Sequence, residues 1–127
     1  TLGDNIVIAW NGSTETARTI ALAKPFLAAA KIVTVLSVTG ASGGMVPGPT
    51  GNQVAAYLTR GGIETEAREV PAKGRSSGAA VLEEINALGA DLLLKGAYTH
   101  NRLRQMIFGG TTRHILAEAR VPIFIAH

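Results

Sequence analysis

The chain has 127 residues, 46% of them hydrophobic and 17% charged, with 15 Gly and no Cys. That profile describes one compact domain with a real core, and it excludes a disordered or fibrous chain, a disulfide framework and a thiolate metal site. No apolar stretch reaches the roughly 18 residues of a membrane span, so a cytoplasmic protein is expected, and 12 basic against 9 acidic residues leave a net charge of +3.

Asn5 to Trp10 is a β-branched apolar run ending in the turn Asn11-Gly12-Ser13, which predicts a first strand. Residues 14–30 follow as a helix with Ser13 at its N-cap, and Pro25 is expected to kink it or end its first half. Ile32 to Val38 is the second strand. Residues 39–52 are rich in Gly and Pro and nearly uncharged, the composition of a mobile surface loop whose ordering would need a ligand or partner.

Gln53 to Thr59 is a short helix stopped by Gly61-Gly62, and Ile63 to Val70 alternates apolar with charged residues, as in an edge strand wet on one side. Ser77 to Leu88 places Val81, Leu82, Ile85 and Leu88 on one helical face, with Glu83 and Glu84 towards water and Gly89 as the stop. Asp91 to Leu94 is a buried strand, with Gly96 opening the loop after it. Thr112 to Ala119 is a last helix and Val121 to Ala126 a last strand. Strands that alternate with helices predict a parallel sheet covered on both faces, with ligands beyond the carboxyl ends of the strands.

Residues 95–120 carry Lys95, Arg102, Arg104, Arg113 and Arg120 against Glu118 alone. This basic stripe coincides with a loop that has Gly96 at its start and Gly109-Gly110 before a helix. Backbone amides and a helix dipole there favour a bound anion, whereas sparse aromatic residues argue against nucleic acid. The plainer alternatives are glycines that only make turns and arginines that only pair at the surface.

The segments Asn-Ile-Val-Ile-Ala-Trp-Asn-Gly-Ser at residue 5, Leu-Gly-Ala-Asp-Leu-Leu-Leu-Lys-Gly-Ala-Tyr at residue 88, Arg-Leu-Arg-Gln-Met-Ile-Phe-Gly-Gly-Thr-Thr-Arg-His-Ile-Leu at residue 102 and Val-Pro-Ile-Phe-Ile at residue 121 together resemble the universal stress protein (UspA) family. They are most similar to one domain of a bacterial tandem protein. The chain begins at Thr1 without Met, as expected of a processed form or a piece of something longer. The resemblance implies a single α/β domain over residues 1–127: a three-layer sandwich on a five-stranded parallel sheet of order 3-2-1-4-5, Rossmann-like and akin to the adenine nucleotide alpha hydrolase fold.

It also implies an adenine nucleotide, ATP or AMP, with Mg²⁺ only alongside ATP. The matching positions are Ala9, Trp10 and Asn11 after the first strand, Val38 at the end of the second, and Gly96, Thr99, Gly109, Gly110, Thr111 and Thr112 along the glycine loop. Gly96 and Gly109 keep the family spacing. Thr99 replaces a glycine and Gly110 a hydroxyl residue, while Asn11 replaces an aspartate and carries no charge for a metal. Trp10 suits a core or interface aromatic as well as a pocket wall.

His100, His114 and His127 lack the further ligands of a metal site, and Gly12-Ser13-Thr14 is a turn and cap rather than a nucleophile elbow. The expectation is therefore a regulatory nucleotide-binding module of the stress response, not an enzyme, that forms homodimers or pairs in tandem and touches neither nucleic acid nor membrane. The alternative is a nucleotide-free structural or dimerisation domain on the same fold.

Overall fold

A computed structural model describes residues 2–41, 46–96 and 120–126. The elements in chain order are β1 (Asn5–Ala9), α1 (Thr14–Leu22), α2 (Lys24–Ala29), β2 (Ile32–Thr39), α3 (Gly51–Arg60), β3 (Thr65–Pro71), α4 (Ser77–Leu88), β4 (Leu92–Gly96) and β5 (Ile123–Ala126). All the strand pairs are parallel, in the order β3-β2-β1-β4-β5.

The period-two pattern of the central strands divides the core in two. Ile6, Ile8, Val33, Val35, Leu92 and Leu94 pack with Ile20, Leu27, Val54 and Leu58 of α1, α2 and α3. Val7, Leu36, Val38 and Leu93 face the other way, onto Ala80, Val81 and Ile85 of α4. Both faces of β1 and β4 are thereby covered, so their apolar runs are continuous rather than alternating.

Local chemistry sets most of the boundaries. Ser13 accepts from the Thr16 amide at 3.2 Å and starts α1, and Pro25 falls in the first turn of α2 just after the break at Ala23. Gly89 ends α4 in the left-handed region at φ 67°, as expected of a glycine stop. Thr50 and Gln53 form a reciprocal capping box, so α3 begins at Gly51 rather than at Gln53.

Three further expectations need correction. β4 runs on through Lys95 and Gly96, which pair with Ile125 and Ala126; Asp91 lies before the strand and serves as an anchor instead. Its carboxylate accepts from the backbone amides of Gly3 (2.8 Å), Asp4 (3.1 Å) and Asn5 (3.3 Å). β3 is an edge strand as expected, but water reaches nearly all of it, with Val70 its buried residue. Glu84 does not simply face water: it is half-buried and bonded to Arg68 of β3 at 2.8 Å.

Candidate functional site

The reversal of strand order between β1 and β4 makes their carboxyl ends the natural crevice of the sheet. Ala9 sits there, paired with Leu36 of β2 and Lys95 of β4. The next residue, Trp10, still donates its amide to the Leu36 carbonyl at 2.9 Å. β2 extends past the end of β1, so Val38 stands at the same rim, its side chain buried towards α4.

The β1–α1 turn is closed by its own side chains. Asn11 Oδ1 accepts from the Ser13 amide at 3.1 Å and the Thr16 hydroxyl at 2.9 Å. The Ser13 amide can only donate, which fixes the oxygen of the Asn11 amide on this turn. Gly12 adopts φ 85°, and a Cβ there would strike the Val46 carbonyl oxygen. The Asn11 carbonyl in turn accepts from the Val46 amide at 2.9 Å.

This geometry corrects the expectation for the Gly/Pro-rich loop. Its residues 46–50 are tied down by the protein itself, because the Trp10 indole donates to the Pro49 carbonyl at 2.8 Å and Gly48 packs against Gly12. Trp10 is only 4% exposed and belongs to the core on the α1/α3 side. Its core reading holds, and its indole also floors a cleft of about 400 Å³ between α1 and α3, shared with Ala17, Ile20, Pro49, Val54 and Tyr57.

Gly96 is the last residue of β4, and its missing Cβ makes room for the first turn of α1. A Cβ there would meet the Thr16 amide nitrogen, and would lie 2.6 Å from the Thr16 hydroxyl and 2.7 Å from the Glu15 carbonyl carbon. The contact is reinforced by Thr19, fully buried, whose hydroxyl reaches the carbonyls of Glu15 (2.8 Å) and Ala126 (3.0 Å).

Lys95 lies beside it, buried to 6% exposure, with Nζ 3.4 Å from the Gly96 carbonyl. Desolvation lowers its pKa from 10.5 to about 8. The folded protein therefore holds this proton less tightly than the unfolded chain does. The cost to the fold is fully present below pH about 8 and is relieved as the pH rises towards 10.5, a gain of about 3 kcal/mol in full. Denaturant melts across that window are expected to show the rise in wild type and its loss in Lys95→Met; an equal rise in both would remove Lys95 as the cause.

Thr99, Gly109, Gly110, Thr111, Thr112, Arg102, Arg104 and Arg113 lie outside the described residues. Among the described residues, Ala9, Trp10, Asn11, Val38 and Gly96 do gather at one end of the sheet. No cluster of three or more His, Asp or Glu suited to a metal occurs among them, and none of their helices is long and apolar enough to cross a membrane. The Ser13 amide and the Thr16 amide and hydroxyl all donate within the β1–α1 turn.

A family model described as the Universal stress protein family matches residues 3–127, and no curated protein matches the chain. Among solved structures, a universal stress protein from Archaeoglobus fulgidus DSM 4304 superposes with TM-score 0.74 and 19% identity, over 98% of this chain and 44% of its own. The chain thus spans less than half the length of that relative. A universal stress protein in complex with cAMP gives TM-score 0.68 and 18% identity over 97% of this chain and 96% of its own. An Archaeoglobus fulgidus universal stress protein in complex with dAMP gives 0.65 and 14% over 97% of both chains. At these identities the likeness establishes the fold, that of a five-stranded α/β sandwich.

Proposed function

The chain belongs to the universal stress protein family, and from that premise we propose that it is a non-catalytic binding module for an adenine nucleotide, seated at the carboxyl ends of β1, β2 and β4. The observation that carries this reading is the gathering of Ala9, Asn11, Val38 and Gly96 at the point where strand order reverses. The structural relatives with cAMP and dAMP support it. Asn11 brings no charge for Mg²⁺, and Lys95 adds a buried cation at the same rim, so a nucleotide without a divalent metal suits these residues better than MgATP. Binding would favour one conformer, in a regulatory domain of the cytoplasm that pairs with a second such domain along the β5 edge of the sheet.

The test is the thermal midpoint of the protein with AMP, cAMP or MgATP. A ligand held at about 100 times its Kd stabilises the native state by about 2.7 kcal/mol, which raises the midpoint of a domain this size by roughly 5–10 °C. AMP or cAMP is expected to produce this shift and MgATP a smaller one. The second reading, a structural domain without nucleotide, draws on the packing of Val46 and Gly48 onto Asn11 and Gly12. No shift with any of the three, and no nucleotide released on denaturation, would favour it.

A further inference from the structure

The cleft floored by Trp10 does not include Ala9, Val38 or Gly96, and it has no part in the nucleotide reading. It lies between α1 and α3 and is walled by Ala17, Ile20, Pro49 and Val54, with Tyr57 at one end. Tyr57 also lines a second depression of about 440 Å³, together with Lys24 and Arg60. Lys24 Nζ stands 5.2 Å from the centre of the Tyr57 ring and 3.3 Å from its hydroxyl, so the ammonium is held over the junction of the two. Gln53, Tyr57 and Arg60 lie along α3, which at 1.5 Å per residue makes the whole groove about 10 Å long.

We propose that this groove is a second ligand site, taking a small amphipathic anion whose apolar chain or ring lies against Trp10, Ile20 and Val54 and whose carboxylate meets Lys24 and Arg60. Three features point to that class of occupant. The inner end is concave and apolar at the volume of a small-molecule site. Its floor is a rigid aromatic, the indole being pinned to the Pro49 carbonyl. The two side chains that carry charge in the groove are both cations and both at the outer end, so the site separates an apolar end from an anion-attracting one. An uncharged apolar molecule would leave that end unused.

Trp10 is the single tryptophan of the chain, so no other indole contributes to the emission read at this groove. Titration with decanoate is expected to change the emission saturably, and decanol is expected to bind at least tenfold more weakly. The Lys24→Glu, Arg60→Glu double variant should weaken decanoate at least tenfold while leaving decanol unaltered. Ala17→Phe fills the cleft from an exposed position on α1 and should abolish the response with an unchanged far-UV spectrum and thermal midpoint. Saturating AMP should leave the decanoate affinity as it was. An absence of saturable change overturns the site; equal binding of decanoate and decanol, or indifference to charge reversal, overturns the anion; competition by AMP overturns its separateness. A failure of AMP to bind at all would bear on the nucleotide reading only.

Discussion

Replacing Gly96 with Val is expected to destabilise the domain by more than about 4 kcal/mol, a large share of the roughly 5–15 kcal/mol that holds such a fold together. The reason is the nature of the obstacle. The new Cβ would be driven into the backbone of Glu15 and Thr16, and a helix backbone, unlike the tip of a long side chain, cannot step aside. α1 would have to lift from β4, and with it the Thr19 hydroxyl that joins α1 to β5. Gly89→Ala is the control: that glycine also has a constrained role, φ 67°, but nothing lies within 4 Å of its Cβ position, so its cost is limited to left-handed strain of roughly 1 kcal/mol. Urea melts decide the matter. Equal midpoints for the two variants would mean that the close approach of α1 to Gly96 contributes nothing. The same result bears on any binding experiment, because lost nucleotide affinity in Gly96→Val is uninterpretable unless the variant is folded.

Asp91→Ala is the second large effect, at about 3–5 kcal/mol. One carboxylate receives the amides of Gly3, Asp4 and Asn5, and it thereby fixes the entry to β1 against the entry to β4. Hydrogen bonds to a charged acceptor contribute about 1.5–3 kcal/mol each, and donors left without an acceptor in a partly buried place add to the loss. Asp91→Asn keeps the shape and one acceptor oxygen, so it should recover part of the deficit. Hydrogen exchange distinguishes this mechanism from general destabilisation: the amides of residues 3–5 should lose protection at denaturant concentrations where the neighbouring strand β2 keeps its own. Uniform loss of protection across β1 and β2 would contradict the anchor.

Neither effect was legible as such along the chain. Asp91 read as the start of a strand because an acidic residue directly before Leu-Leu-Leu looks like part of the run, and its partners are more than eighty positions away. At Gly96 the sequence shows where a side chain is missing, but not that the first turn of α1 stands in the space. Trp10 and the Pro49 carbonyl make the same point for the loop after β2. A stretch rich in Gly and Pro has few contacts of its own to offer, so its composition predicts mobility, yet an indole on another strand can hold it.

What the amino-acid order determined alone is what depends on near neighbours: the continuous apolar runs of β1, β2 and β4, the Ser13 cap, the break at Pro25, the stop at Gly89, and through their alternation a parallel α/β sheet, whose order 3-2-1-4-5 was implied by the family resemblance and not by the alternation. These follow from dihedral preference, period and capping, which act within a few residues. Tertiary structure decided which glycine admits a helix, which acid ties two strands, and that the turn after β1 spends its own polar groups on itself. Such outcomes depend on distances between atoms far apart in the chain, and local preferences carry no information about those until the sheet has brought them together.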